Sequence, residues 1–329
     1  MNRLSTKERV LELLKNNSGT YFSGEELAGK LDVSRTAVWK AVKQLRADGF
    51  DINAATNKGY MIGEKSDILT LSGIKKHLNG DLGIPEVRLL DKVDSTNNYL
   101  KQPSVLDSRQ DGLVVISNEQ SAGRGRFGRS FYSPNGSGIY MSLLLRPREC
   151  SIQQSVKFTT MAAAAVCEAL EDTGGQPKIK WVNDIYMNGK KVCGILTEGS
   201  ADLESGFLDH AVLGIGVNLY EPEGGFPEEI KDIAGGVFHS RETDMKNRIA
   251  SGILNRFYAL YRDGSDYADR YRSRSMVIGK TVQITRGGIT EQVKVIDIDS
   301  RCALIVEDMN GVSKRFTSGE ISIVKGDLS

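Results

Sequence analysis

The segment Gln120-Ser121-Ala122-Gly123-Arg124-Gly125-Arg126-Phe127-Gly128-Arg129 constrains this chain more than any other. It contains a literal G-x-G-x-x-G at positions 123, 125 and 128, behind a run of strand-forming residues at 113–117. A dinucleotide-binding fold needs that pattern to open a helix within a βαβ unit. Here Ser130-Phe131-Tyr132-Ser133-Pro134-Asn135-Gly136-Ser137 comes next, rich in turn formers, and then a second apolar run at 138–145. The pattern is therefore a loop between strands. Three arginines, Arg124, Arg126 and Arg129, are set among its glycines. Backbone N–H groups can approach an anion closely there, and guanidinium forks pair with phosphate or carboxylate.

Strands and helices alternate around this loop from about 68 to 273. Strands are expected at 113–117, 138–145, 179–181, 191–198 and 211–217, and a helix at 151–172 with an alanine-rich stripe against a sheet. Lys180-Trp181-Val182-Asn183-Asp184 precedes a hairpin signal, Asn188-Gly189. Gly194 and the pair Gly214 and Gly216 interrupt strands, which marks close approach of a ligand or another chain segment.

Residues 1–65 form a separate module. Thr6 to Asn16 is an amphipathic helix. Ser23 and Glu26 make a capping box for a second helix that ends near Leu31, and Ser34 caps a third that Gly49 closes. Val38, Val42 and Leu45 form the buried stripe of the third helix, and Arg35, Lys40, Lys43 and Arg46 ride outside it. A small hairpin at 50–62 completes a winged helix-turn-helix. Ser34, Arg35, Thr36, Trp39, Lys40 and Lys43 are its candidate DNA contacts. The module's net charge is only +3, so one copy binds DNA weakly and a dimer is expected. From 275 to 329 the pattern changes to short strands, at 281–285, 292–298, 303–307, 313–317 and 320–324, the expected signature of a small SH3-like barrel. The polar stretch 63–67 separates the first two parts.

Composition removes other classes. The net charge of +1 speaks against bulk electrostatic adhesion to nucleic acid. No apolar run is long enough to span a bilayer and no secretory leader is visible, so a cytoplasmic protein with no membrane partner is expected. Cys150, Cys167, Cys193 and Cys302 form no C-x-x-C pair, and His77, His210 and His239 stand apart. No metal site and no Ser-His-Asp relay is expected.

Asp94-Ser95-Thr96-Asn97, Gln120 with the Gly/Arg loop, Lys180 to Asp184, Lys191 with Gly194-Ile195-Leu196, and Gly214-Ile215-Gly216-Val217-Asn218 occur in one order. In that order, behind a winged helix, they resemble the bifunctional biotin protein ligases that also repress biotin operons. One departure is Val182, where the family often has proline. The resemblance implies an α+β protein: a winged helix-turn-helix, a mixed α/β catalytic domain of the biotin/lipoate ligase type, and the C-terminal barrel. It implies that biotin and Mg2+-ATP give biotinyl-5′-AMP, and that biotin then passes to a lysine of a carboxylase biotin carrier domain. It places Ser95, Thr96, Asn97, Gln120, Gly123, Arg124, Gly125, Arg126, Lys191, Gly194, Gly214 and Gly216 around biotin. Arg129, Phe131, Asn183 and Asn218 fall on the nucleotide, with Phe131 able to stack on adenine. Lys191, Arg126, Asp184 and Lys180 become the catalytic set, with Asp184 assisting the acceptor lysine and no residue assigned to the metal. The implied partners are a carrier domain, operator DNA and, when adenylate is bound, a second copy of the chain. A ligand-sensing transcription factor and a lipoate ligase are the competing readings. The intact Lys191, Arg126 and Asp184 disfavour the first, and the winged helix disfavours the second.

Overall fold

The computed structural model describes residues 5–17, 19–63, 67–84, 86–108, 111–202, 204–263 and 267–324. The first three helices are α1 (Thr6–Asn16), α2 (Gly24–Leu31) and α3 (Arg35–Ala47), followed by the hairpin β1 (Ile52–Ala55) and β2 (Gly59–Ile62). Ser5 with Glu8 and Ser23 with Glu26 form full capping boxes, and the Ser34 hydroxyl accepts from the Ala37 N–H. Val38, Ala41, Val42 and Leu45 of α3 are buried against Val10, Leu14, Leu27 and Leu31, a core of its own. Truncating Leu45 to alanine would cost about 2–5 kcal/mol there. The expected boundary near 65 falls at 64–66, outside the described residues.

The central part runs α4 (Leu71–His77), β3 (Glu86–Leu90), α5 (Thr96–Leu100), α6 (Pro103–Leu106), β4 (Leu113–Ser117), β5 (Gly138–Leu145), α7 (Val156–Glu171), β6 (Lys178–Lys180), β7 (Asp184–Met187), β8 (Lys190–Ala201) and β9 (Leu208–Asn218). Helices α8 (Met245–Asp263) and α9 (Tyr267–Arg272) follow. The seven strands form one sheet in the order β3-β4-β5-β9-β8-β7-β6, parallel only between β3 and β4. Helices α7 and α8 pack on it, and the alanines of α7 lie in the main core as expected.

Three expectations change. The helix expected from 151 starts as a short 3-10 turn at Ile152–Ser155, and the α-helix begins at Val156. Strand β8 runs to Ala201, and β9 starts at Leu208. Helix α8, with 19 residues the longest among those described, is concealed in the sequence because polar Lys246, Asn247 and Ser251 fall on its buried face.

The C-terminal strands β10 (Thr281–Arg286), β11 (Ile289–Ile298), β12 (Leu304–Asp308), β13 (Ser313–Phe316) and β14 (Glu320–Ile323) make one antiparallel sheet in the order β13-β12-β11-β10-β14. Among the described residues each strand is paired to the next in that order, and no ladder joins β13 to β14. Its buried residues join the main core, and Trp181 Nε1 donates to the Cys302 carbonyl at 2.9 Å. No helix among the described residues is long and apolar enough to cross a membrane.

The end of α3 is seated on the central part. The Asn135 amide donates to Asp48, and Arg241 donates to the Gly136 carbonyl at 2.9 Å. Buried Asp67 accepts from the Tyr220 hydroxyl at 2.5 Å and from the Lys246 N–H at 2.8 Å. Gly136 sits at φ +79°, and a Cβ there would overlap the Ala47 carbonyl. Gly136→Ala should therefore lower stability by about 1–3 kcal/mol and bring forward tryptic release of the N-terminal module. A thermal melt and digestion time course at wild-type values would contradict this packing.

Candidate active site

Strands β8 and β9 pair with Gly194 opposite Gly216 and Leu196 opposite Gly214. Three glycines at this seam leave a trough beside the Leu196 side chain. Two of this chain's own residues enter it. The Phe131 ring lies over Gly194 and Gly216, where a Cβ would come within 3.2 and 2.6 Å of it. The Asn97 amide lies over Gly214 so closely that a Cβ there would overlap it. The expected close approach is thus made by Phe131 and Asn97, and the glycines do not stand open. The expectation that Phe131 stacks on adenine meets a ring that rests on the strand seam, edge-on to Tyr140 at 6.5 Å.

Around the seam lies a cavity of about 670 Å³. Its lining includes Ser95, Thr96, Asn97, Gln120, Arg124, Gly125, Arg126, Arg129, Phe131, Lys180, Asn183, Asp184, Lys191, Gly194, Gly214, Gly216 and Asn218. Segments more than a hundred residues apart are brought together. Of the expected central site residues, only Gly123 is outside this lining. Its carbonyl holds the neck of the loop, where it accepts from the Phe131 N–H at 2.9 Å.

One wall is a buried chain of hydrogen bonds. Ser95 caps α5, which puts Thr96 and Asn97 on the first turn. Gln120 Oε1 accepts from the Thr96 N–H at 2.9 Å and hydroxyl at 3.1 Å, while its Nε2 donates to Ser133 at 2.9 Å. Ser142 Oγ lies 2.7 Å from Thr96 Oγ1 and 2.6 Å from Asn97 Oδ1. Such a network fixes every donor and acceptor facing the cavity.

Another part of the lining is ionic. Lys191 Nζ meets Asp184 Oδ1 at 2.7 Å. Asn183 Nδ2 donates to the same Asp184 oxygen at 3.0 Å, and its Oδ1 accepts from Arg126 at 2.9 Å. Arg126 also donates to the Gly319 carbonyl at 3.1 Å, and Arg129 pairs with Glu320 at 2.6 Å. The leading end of β14 therefore closes over the Gly/Arg loop. Burial pulls the Arg126 guanidinium below its ordinary range, against the opposing charges of Asp184 and Glu320. Burial likewise pulls the Lys180 ammonium down, with Asp184 acting against it. The two acids that line the cavity, Asp184 and Glu320, are each taken by a cation, so the donor set does not suit a protein-held metal. Loop residue Phe127 is exposed at the tip, under the Arg126 guanidinium at 4.9 Å.

Sequence reasoning missed Ser142, Glu198, Gly319 and Glu320. Ser142 and Glu198 occupy ordinary strand positions, and the last two lie in another part of the chain, so no local pattern marks them.

In the N-terminal module Ser34, Arg35, Thr36, Trp39, Lys40 and Lys43 lie along α3, and Trp39 is exposed. Lys43 lies 5.7 Å from the Trp39 ring centre and 3.6 Å from Glu223. Arg46 remains exposed, and its guanidinium folds back to donate to the Ile52 carbonyl at 3.0 and 2.6 Å, tying α3 to the hairpin.

Helix-turn-helix in front, a half-open cavity with apolar walls and placed polar groups on a mixed sheet behind: fold and site define a two-part class, a DNA-binding module joined to a small-molecule catalytic domain. Family models match in the same order, an HTH domain over residues 6–61, the biotin/lipoate A/B protein ligase family over 89–218, and the biotin protein ligase C terminal domain over 277–324. The bifunctional ligase/repressor BirA of Bacillus spizizenii is 32% identical over 96% of this chain and 98% of its own length. That of Escherichia coli is 28% identical over 96% of both. The biotin protein ligase of Aquifex aeolicus in complex with biotin and ATP superposes with a TM-score of 0.60 at 28% identity, covering 73% of this chain and 99% of that one. The chain belongs to the bifunctional ligase/repressor family of biotin protein ligases.

Asp184→Asn removes the charge that holds the Lys180 ammonium up, so the Lys180 pKa should fall further. Titration of isotopically labelled lysine side chains by NMR checks this, and an unchanged or raised value would contradict the ionic wall.

Proposed function

We propose that this chain is an ATP-dependent biotin protein ligase that also represses biotin genes in response to biotin. The observation that carries the reading is one cavity lined both by the hydrogen-bonded Thr96, Asn97 and Gln120 and by the cations Arg124, Arg126, Arg129 and Lys191. A ureido bicycle needs fixed donors and acceptors within apolar walls, which Thr96, Asn97, Gln120 and the glycine seam supply. A carboxylate meeting a triphosphate needs cations, which Arg124, Arg126, Arg129 and Lys191 supply.

In the first step a biotin carboxylate oxygen attacks the α-phosphorus of ATP. The bond to the bridging oxygen breaks, and pyrophosphate leaves. Lys191 neutralises charge gathering between the carboxylate and the α-phosphate, and Arg126 holds the loop across the product. Asn183 and Asn218 face the nucleotide, as does Arg129 beside β14. Mg2+ would enter with ATP and offset its phosphate charge, and no described residue is assigned to hold it. In the second step the carrier lysine's amine attacks the biotinyl carbonyl carbon, and AMP leaves with the bonding pair. A lysine is mostly protonated at neutral pH, and Asp184 orients it and accepts its proton. Lys191 must release Asp184 for this, so the 2.7 Å pair is a contact that the adenylate, by drawing on Lys191, would loosen.

For repression, ligand filling the cavity orders the Gly/Arg loop and favours a homodimer through the central sheet. Two α3 helices are then set on a palindromic operator, and each weak module gains from the other.

Biotin-dependent ATP–pyrophosphate exchange, with lipoate as control, and then transfer of labelled biotin to a carrier-domain lysine, test the enzymatic reading. Lys191→Ala should slow exchange on the order of a hundredfold or more. Near-normal exchange in that variant removes Lys191 from its role. Arg126→Gly should release adenylate faster and label bystander lysines, and unchanged release would contradict loop retention. Equal operator affinity with and without biotin and ATP would contradict the repressor half.

A further inference from the structure

Asp184 stands in the last hairpin of the central sheet. Strand β6 has three residues and forms the edge, β7 has four, and the turn between them is Trp181-Val182-Asn183. A hairpin this short is marginal by itself. Its turn is anchored from three other elements. Trp181 Nε1 donates to the Cys302 carbonyl at 2.9 Å. Asn183 takes both backbone groups of Ile195 in β8: its carbonyl accepts from the Ile195 N–H at 3.0 Å, and its Nδ2 donates to the Ile195 carbonyl at 3.0 Å. The Val182 carbonyl, between these two, accepts from the Tyr271 hydroxyl at 3.1 Å.

Tyr271 belongs to the last turn of α9 and is fully buried. It does not line the cavity, and no catalytic step above uses it. Burial holds its phenol well above the ordinary range, so it remains a hydrogen-bond donor at neutral pH. A peptide unit is planar, so fixing the Val182 carbonyl also fixes the Asn183 N–H and the direction in which Asn183 leaves the turn. Asn183 Nδ2 then donates to Asp184 Oδ1 at 3.0 Å, the same oxygen that Lys191 meets at 2.7 Å. A buried phenol on α9 is thereby linked to the carboxylate in the cavity through two residues.

We propose that Tyr271 is a positioning residue for Asp184. Its hydroxyl fixes the Val182–Asn183 peptide, and so sets the carboxylate that receives the acceptor lysine. The identity of that acceptor rests on the function proposed above.

Tyr271→Phe removes the hydroxyl and keeps the ring. Single-turnover transfer from preformed biotinyl-5′-AMP to a carrier-domain lysine should slow on the order of tenfold at neutral pH, part of what a placed base supplies. Pyrophosphate exchange depends on cations carried by β8 and the Gly/Arg loop, and should fall by less than about threefold. The transfer defect should shrink as the pH is raised toward about 10, where the acceptor amine loses its proton unaided. Tyr258→Phe is the matched control. The Tyr258 hydroxyl donates to the Gly112 carbonyl at 2.8 Å, buried and outside the cavity lining, and its loss should leave the transfer profile as in the wild type. In the ligand-free protein, NMR titration of labelled lysines should show the Lys180 pKa lowered in Tyr271→Phe, because a loosened Asp184 supports that ammonium less.

Wild-type transfer in Tyr271→Phe would overturn the proposal. So would a transfer defect no larger than the exchange defect, one that stays constant as the pH rises, or one that Tyr258→Phe reproduces, because lost stability alone behaves in these ways. The failure of the ligase reading itself is distinguishable. It would show as wild-type protein without biotin-dependent exchange, and the Lys180 titration would still decide the role of Tyr271, with an unchanged or raised value counting against it.

Discussion

The antiparallel pairing of β8 with β9 is the constraint on which the site depends. Gly194 faces Gly216 across the ladder, and Gly214 lies one inward-facing position further along. A strand pair with three glycines at its seam is weak by itself, and it forms here because both strands are paired within a seven-stranded sheet. The missing side chains create a trough, and Phe131 and Asn97 enter it from opposite sides. Phe131 brings the Gly/Arg loop with it, since its backbone is bonded to Gly123. Asn97 brings α5 and, through Glu198 and Ser142, both neighbouring strands. The loop, the helix and the sheet are thereby placed to within the length of one hydrogen bond.

Charge distribution explains how a chain of net charge +1 serves two anionic partners. In the cavity most cations have a local acid or amide: Lys191 with Asp184, Arg129 with Glu320, Arg126 with Asn183, Arg124 with Glu198. These pairs hold the cations in place and lower the cost of clustering them, and an incoming carboxylate or phosphate can exchange with an acid partner. On α3, Lys43 lies beside Glu223 while its neighbours face outward. A single module so lightly charged suits a repressor whose DNA binding depends on pairing. The same near-neutral balance that argued against bulk adhesion to nucleic acid is compatible with two local patches.

Much of the fold was legible because it is written in local patterns. Ser23 with Glu26, Ser34 before α3, and Asn188-Gly189 in a left-handed turn are short-range chemistry, and all three occur as read. The loop character of residues 120–129 was legible from the residues just after it, where Pro134 and Asn135-Gly136 stand in place of a helix. Long-range facts were not. That Gly319 and Glu320 would meet Arg126 and Arg129 depends on how a separate sheet docks. The strand glycines announced a close approach, but which side chains approach is a property of the assembled sheet. Arg46 looked like one more cation on α3, and only the position of the hairpin shows that it serves the Ile52 carbonyl.

The central claim is that the glycine seam is the floor on which the ligand-binding arrangement is built. Gly216 has an ordinary strand conformation, so alanine there strains no backbone, but its methyl group would press into the Phe131 ring from 2.6 Å. Biotin-dependent pyrophosphate exchange by Gly216→Ala, measured beside its melting temperature, is the most direct test. The seam account predicts a folded protein whose exchange falls on the order of tenfold or more, the cost of overpacking one close contact. A folded Gly216→Ala protein with wild-type exchange would contradict it.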